Sequence, residues 1–252
     1  FFTQSRNFRL QKVGNLNWLE NNYQFQKIAF SLDELIVINA SRININMIDF
    51  AQMVSRLVND VFIPVSAGGA IRSMDDAEIL FNGGADKIIL NTILKENPEL
   101  VKSLVKRYGS QSVIASIDYK DNNKIKEVFI HNGATKIDLN LKTYIEYVQS
   151  LQIGEIYLNS IDKDGTGFGY DFETINEVTE NISIPLIIAG GAGNEKHLIE
   201  GLKIKEVSGV ATANLFNFIG DGIPNAREKV LDAGLNIIDW TKQDLDQNDK
   251  RF

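Results

Sequence analysis

Cysteine is absent from this 252-residue chain, which excludes disulfide bonds and thiolate metal ligands. Histidine is scarce: His131 and His197 are the only two, and neither has a metal-ligand partner at a suitable spacing. We expect both histidines to lie at the surface. We therefore expect no metal ion and no other cofactor. A basic excess is also lacking, since 26 lysines and arginines face 33 aspartates and glutamates. This balance argues against a general nucleic-acid binder, which needs positive charge along the phosphate backbone.

Long hydrophobic runs are missing as well. No segment approaches the roughly 20 apolar residues that a membrane-spanning helix needs, and the chain does not open with a charged and then apolar leader. Together with the absence of cysteine, these features lead us to expect a cytoplasmic protein that does not enter a membrane.

Short aliphatic runs are what the sequence does contain, and they alternate with amphipathic stretches. This alternation is typical of a parallel sheet with crossover helices, whose strands are buried on both faces. No linker or low-complexity stretch divides the chain, so we predict one α/β domain over residues 1–252. The predicted strands are residues 34–39, 63–67, 87–91, 112–118, 155–159, 185–189 and 207–211.

An internal repeat organises these strands into two halves. Pro64 and Pro185, 121 residues apart, each open a strand that ends in Gly-Gly-Ala. A repeat of this length is half of a (β/α)₈ TIM barrel, so the sequence predicts two fused half-barrels. Seven strands do not close such a barrel. The strand ending at Asp118 needs a counterpart in the first half, and the repeat places it just before Phe1, with residues 1–15 as the loop that follows it.

Glycines end the repeated strand in each half, where a barrel of this kind has its active site. Glycine allows the backbone to approach an anion closely, and the next helix offers unpaired N–H groups to it. A single Gly-Gly could simply make a tight turn, but two copies at matching places favour two phosphate sites. The predicted phosphate-binding residues are Gly69, Ala70, Asn91 and Thr92 in the first half, and Gly190, Gly191, Ala213 and Asn214 in the second.

Carboxylates follow two neighbouring strands at the same rim. Asp118 ends an otherwise apolar strand, and Asp164 lies in the turn after the next one. A carboxylate in a water-poor pocket can act as a general acid or base if burial raises its pKa. The alternative for Asp164 is ordinary turn chemistry, because Asp-Gly is a common turn sequence. We predict that Asp118 and Asp164 are catalytic.

Charged residues of mixed sign start three of the strands at the opposite end of the barrel. Glu34, Lys87 and Glu155 each precede an aliphatic run. Such residues could form an ion-pair ring across the floor of the barrel, although each could also be a solvated strand start.

Several motifs together resemble the cyclase subunit of imidazole glycerol phosphate synthase, the barrel partner of a glutamine amidotransferase. They are Ala-Gly-Gly-Ala-Ile71, Gly-Gly-Ala-Asp-Lys87, Ser-Ile-Asp-Lys-Asp-Gly-Thr166, Gly-Tyr-Asp171 and Ala-Gly-Gly-Ala-Gly193. The resemblance implies a lyase of histidine biosynthesis that forms a heterodimer with a glutaminase at the N-terminal face of the barrel. Ammonia would pass through the core to a substrate with a phosphate at each end.

The resemblance also implies roles for single residues. Asp118 matches one of two catalytic carboxylates, and the other would lie on the first strand. Glu34, Lys87 and Glu155 match three of the four members of an ammonia gate.

Some positions depart from the family pattern. Asn39 stands in place of a carboxylate, Asn159 replaces a threonine and Asn214 replaces a serine, the last two at the second phosphate site. The resemblance thus implies that Asn159, too, binds the substrate or its phosphate. Because these changes surround the substrate, an alternative is a paralogue that passes ammonia to a nucleotide-linked sugar in surface-polysaccharide synthesis. A third reading is a non-catalytic partner that only activates a glutaminase.

Overall fold

Seven parallel strands form the centre of the fold. The computed structural model describes residues 2–5, 8–12, 15–23, 31–41, 46–213 and 221–239. Within these residues the central strands run in the order β3-β4-β5-β6-β9-β10-β11, and each pairs with its neighbours in parallel. In chain order the strands are β1 (Phe2–Ser5), β2 (Arg9–Lys12), β3 (Leu35–Ile38), β4 (Val65–Gly68), β5 (Lys87–Leu90), β6 (Val113–Asn122), β7 (Ile125–Ile130), β8 (Thr135–Asn140), β9 (Glu155–Ser160), β10 (Leu186–Ala189) and β11 (Val207–Val210).

The aliphatic runs form these strands because both faces of a parallel sheet are covered. Val65, Ile88 and Ile114 are completely buried, and they lie on three adjacent strands. Each of the seven predicted runs contains one strand of the sheet. The predicted α/β class of TIM-barrel type is thereby confirmed, and the carboxyl ends of all seven strands lie at one rim.

Helices connect the strands and cover the outside of the sheet. In chain order they are α1 (Leu16–Tyr23), α2 (Met47–Asp60), α3 (Met74–Asn82), α4 (Thr92–Glu96), α5 (Pro98–Tyr108), α6 (Leu141–Ser150), α7 (Phe172–Thr179), α8 (Glu195–Leu202) and α9 (Gly222–Asp232). Ser73 and Asp76 form the capping box that the sequence predicts at the start of α3. Asn97 accepts the N–H of Leu100 at the start of α5, with Pro98 in its first turn. None of the helices in the described residues is long and apolar enough to span a membrane.

The strand predicted to end at Asp118 is longer than the sequence indicated. β6 continues to Asn122 and turns back into β7, which pairs antiparallel with it and then with β8. Asn123 and Lys124 make the turn with φ of +53° and +69°, the left-handed conformation that two-residue hairpin turns require. Tyr119 and Val128, opposite each other in the ladder, are buried, so the extension adds to the core.

The beginning of the chain also differs from the predicted loop. Residues 2–5 and 9–12 form an antiparallel pair, β1 with β2, which needs only a short connection because the pairing is local. The eighth strand that the repeat predicts does not lie among the described residues. The first strand before Phe1 and the single domain over residues 1–252 stay predictions.

Candidate functional site

Asp118 lies at the carboxyl-terminal rim, between two side-chain amides. It stands opposite Asn159 in the β6–β9 register, and Asn91 follows the last residue of β5 on the other side. The Asn159 amide donates to Asp118 Oδ1 at 3.0 Å, and the Asn91 amide donates to Oδ2 at 3.1 Å. Only 9% of Asp118 is exposed. Both oxygens of a buried carboxylate are thus held by neighbouring strands.

Burial shifts the pKa of Asp118 towards neutral pH. Removal from water raises its pKa from an ordinary 3.8 to about 7, and the charge of Asp164 acts in the same direction. The hydrogen bond from Asn159 opposes the shift. A carboxyl group that titrates near pH 7 can both accept and return a proton, which a general acid or base must do.

Asp164 lies in the turn that follows β9. Its backbone N–H donates to the carbonyl of Ser160 at 2.9 Å, which closes the turn. Burial raises the pKa of Asp164 to about 6, against an opposing hydrogen bond from the N–H of Gly165. Asp162, two residues earlier, instead accepts the N–H of Asp121 at 2.8 Å. The structure therefore gives Asp162 a local structural contact, while Asp164 is the carboxyl group that acts electrostatically on Asp118.

The first glycine loop (residues 68–71) follows β4. Gly69 and Ala70 have φ of +91° and +63°, and a Cβ on Gly69 would overlap the backbone of Asn39. Asp76 accepts the N–H groups of Arg72 at 2.8 Å and Ser73 at 2.9 Å, so an anion would have to meet the donors that precede Arg72. Tight packing alone requires glycine at position 69, and phosphate binding here stays a prediction.

The second glycine loop (residues 190–193) has the same left-handed backbone, with φ of +86° at Gly190 and +111° at Gly191. It packs against the turn after β9, because the N–H of Gly169 donates to the Gly191 carbonyl at 2.8 Å. His197, which the sequence suggested as a surface residue, is half-buried and accepts the N–H of Gly193 at 3.1 Å. Ala213 follows β11, and Asn214 lies outside the described residues.

Asn39, where the family pattern has a carboxylate, directly follows β3 and lies beside the first glycine loop. Its side-chain oxygen accepts the N–H of Ser41 at 3.1 Å. The amide therefore stabilises its own turn, and the structure gives it no contact with Asp118.

The remaining residues predicted for the first phosphate site make contacts within the protein. Besides its bond to Asp118, the Asn91 amide donates to the Ser116 carbonyl at 3.0 Å. Thr92 Oγ1 accepts the N–H of His131 at 3.2 Å. The His131 ring in turn lies 2.7 Å from a carboxylate oxygen of Glu96. Asn91 thus faces the buried carboxyl group, while Thr92 joins the β7–β8 turn to the rim.

Glu34, Lys87 and Glu155 meet at the opposite end of the sheet. Lys87 Nζ lies 3.0 Å from Glu34 and 2.9 Å from Glu155, so one cation bridges two carboxylates. Burial lowers the pKa of Lys87, but hydrogen bonds to Glu155 and Glu34 outweigh this effect and raise it. Ser66 donates a further hydrogen bond to Glu34. We call Glu34, Lys87 and Glu155 the floor cluster.

A buried network beside the rim was not predicted. The Tyr119 hydroxyl donates to Asp171 at 3.1 Å, and Thr174 donates to the same carboxylate oxygen at 2.6 Å. Asp171 also caps α7 by accepting the N–H of Thr174. The signal in the sequence was Gly-Tyr-Asp171 before an amphipathic stretch, a pattern typical of a helix start. Among the described residues, no cluster of three or more histidines, cysteines or acidic residues could hold a metal ion.

Comparison with known proteins places the chain among relatives of similar length. A family model described as "Histidine biosynthesis protein" matches residues 17–220. A protein of Parasynechococcus marenigrum, provisionally named imidazole glycerol phosphate synthase subunit hisF2, is 42% identical over 91% of this chain and 85% of its own. The imidazole glycerol phosphate synthase subunits HisF of Pyrobaculum aerophilum and Chlorobium limicola are 37% and 35% identical, each over 81% of this chain and 81% and 82% of their own.

Proposed function

The chain belongs to the histidine biosynthesis protein family, and we propose that it acts there as a cyclase subunit of imidazole glycerol phosphate synthase type. In this role it uses ammonia to close a ring on a substrate that carries a phosphate at each end. The names of its relatives support the reaction class. The substrate and the partner are proposals that follow from the resemblance, and the site residues are proposals that the geometry supports.

One observation carries the proposal: a buried carboxyl group that titrates near neutrality lies at the rim that also bears both glycine loops. Asp118 has a pKa of about 7, and Asp164 beside it has one of about 6. Two acids with different pKa values near the working pH can divide the roles of proton acceptor and proton donor. We propose that Asp118 is the principal general acid or base and that Asp164 assists it.

The floor cluster supports delivery of ammonia from a glutaminase. β5 starts with Lys87 and ends just before Asn91, so a single strand connects the floor with the rim. At about 3.3 Å per residue, this path through the sheet is on the order of 13 Å long. We propose that the glutaminase binds at the N-terminal face and that rearrangement of Lys87 between its two carboxylates opens the path.

The test is an ammonium-driven assay on the two-phosphate imidazole precursor with the full gene product. At pH 8.5 and high ammonium, we expect turnover by the wild type and a loss of at least about 100-fold in Asp118→Asn, the size typical of a lost general acid–base. Asp75→Asn, at an exposed position on α3, is the matched control and should keep its activity. An inactive wild type, or an Asp118→Asn variant as fast as the control, would overturn the proposal.

A second candidate function is amidation of a nucleotide-linked sugar with the same channelled ammonia. It is favoured by the two asparagines at the rim, since Asn39 stabilises its own turn and Asn159 binds Asp118. Turnover of a nucleotide sugar together with its activating enzyme, and none of the imidazole precursor, would select this candidate. Product formation unchanged by Asp118→Asn in the complex would instead indicate a partner that only activates the glutaminase.

A further inference from the structure

We propose that Asn159 and Asn91 form an amide clamp that orients Asp118, and that Asn159 is a positioning residue for this carboxylate instead of a phosphate ligand. The consequence for catalysis rests on the proposed function, but the clamp itself is a property of the folded chain. The clamp gives Asn91 and Asn159 the role of orienting a carboxylate, which their positions at the strand ends did not indicate.

The geometry of the clamp follows from strand register. Asp118 is the sixth residue of β6, and Asn159 is its direct partner on β9. The two amides approach from opposite neighbouring strands, and each donates to a different oxygen, at 3.0 Å and 3.1 Å. Two donors on two oxygens fix the plane of the carboxylate, which a single hydrogen bond would leave free to rotate.

Both amides are themselves anchored. Asn91 makes its second donor contact to the Ser116 carbonyl at 3.0 Å, and its oxygen accepts the hydroxyl of Thr92 at 3.4 Å. Asn159 is 7% exposed and packs under the second glycine loop. A Cβ on Gly190 would lie 2.9 Å from the Asn159 side-chain oxygen. The absence of a side chain at Gly190 therefore makes room for the Asn159 amide. The second glycine loop is therefore in direct contact with the residue that holds Asp118.

The hydrogen bonds of the clamp oppose the effect of burial on the pKa of Asp118. An N–H donor to each oxygen favours the ionised carboxylate, because a proton on either oxygen would have to displace a donor. The other titratable groups that sense Asp118 are Asp164 in the turn after β9, Tyr157 on β9 and Tyr144 on α6. After burial, Asp164 raises the pKa of Asp118. Burial is also the main reason why the pKa of each tyrosine is raised, and the charge of Asp118 adds a smaller contribution. Burial and a second acid both favour the neutral form of Asp118, and the hydrogen bond from Asn159 opposes them, while Asn91 holds the other carboxylate oxygen.

The test is a titration of Asp118 by carboxyl ¹³C NMR, with the Asp118→Asn spectrum to assign the resonance. We expect Asn159→Leu to raise the midpoint by about one pH unit. Asn159→Thr retains a hydroxyl donor and should raise it less. Asn176→Leu, at an exposed position of α7, is the matched control for loss of an amide. An unchanged midpoint in Asn159→Leu overturns the clamp. If leucine prevents folding, Asn159→Ala, which also removes the donor, takes its place, and an unchanged midpoint there overturns the clamp equally.

Kinetics separates positioning from phosphate binding. A positioning role predicts that Asn159→Leu lowers kcat by about tenfold and shifts the pH profile upward, with KM for the phosphorylated substrate little changed. A raised KM with unchanged kcat would show that Asn159 binds phosphate and would overturn the assignment. Because the titration needs no substrate, a failure of the proposed reaction leaves the clamp tested on its own.

Discussion

Replacing Asp118 by asparagine should stabilise the protein at pH 8, in spite of the loss of activity. Burial raises the pKa of Asp118 from 3.8 to about 7, so between these two pH values the folded state binds a proton that the unfolded state has released. The free energy of unfolding therefore falls as the pH rises from about 4 to about 7. Asparagine cannot ionise, and the variant should lack this contribution to the pH dependence.

The magnitude follows from the size of the pKa shift. A rise from 3.8 to about 7 corresponds to about 4 kcal/mol of stability lost by the wild type above pH 7. The variant forfeits part of this advantage, because its own NH₂ group must face one of the two donor amides, which costs about 1 kcal/mol. The net gain is then about 3 kcal/mol at pH 8, or a rise in Tm of about 6–12 °C for a domain of this size.

The assay is urea-induced unfolding of the wild type, Asp118→Asn and Asp75→Asn at pH 4.5 and at pH 8. We expect the difference between the wild type and Asp118→Asn to be large at pH 8 and small at pH 4.5, with the Asp75 variant close to the wild type throughout. A difference that is the same at both pH values would refute the reasoning, as would a wild type that is more stable at pH 8 than the variant.

Two further substitutions test the packing of the second glycine loop and the floor cluster. Gly191→Ala should destabilise the protein by about 2–4 kcal/mol in urea unfolding, because the Cβ would meet the Gly169 carbonyl and φ is +111°. Gly209→Ala, where the nearest atom is at 3.4 Å, is its control, and equal losses in both would contradict the explanation. Lys87→Met should cost about 1–2 kcal/mol because Glu34 and Glu155 lose their shared cation, an effect that 1 M salt should reduce. The exposed Lys106→Met should show neither effect, and a salt-independent loss at position 87 would point to packing instead of charge.

The central strands could be predicted because burial on both faces demands continuous aliphatic residues. The run before Asn91 and the run that ends at Asp118 have this character, and both form strands. Helix starts were equally accessible, since the capping box at Ser73 depends only on residues within one turn. Parallel strands all end at the same rim. This rule alone predicted that Asp118 lies at the rim and that Glu34 and Lys87 lie together at the opposite end of the sheet.

The contacts between distant residues could not be predicted from spacing. Asn159 binds Asp118 because of the register between β6 and β9, and two residues 41 positions apart give no local sign of that register. The hairpin after Asp118 was missed because its turn, Asn123-Lys124, lacks glycine, although both residues adopt the left-handed conformation. His197 was assigned to the surface because a single ring gives no sign that a loop N–H will donate to it.

The most direct test of the account is a crystal structure with the two-phosphate imidazole precursor bound. The account predicts one phosphate on the backbone of residues 69–71, the other at residues 190–193, and the reacting atoms between them, within hydrogen-bond reach of Asp118. A ligand held by a single loop, or one that spans the rim out of reach of Asp118, would contradict it.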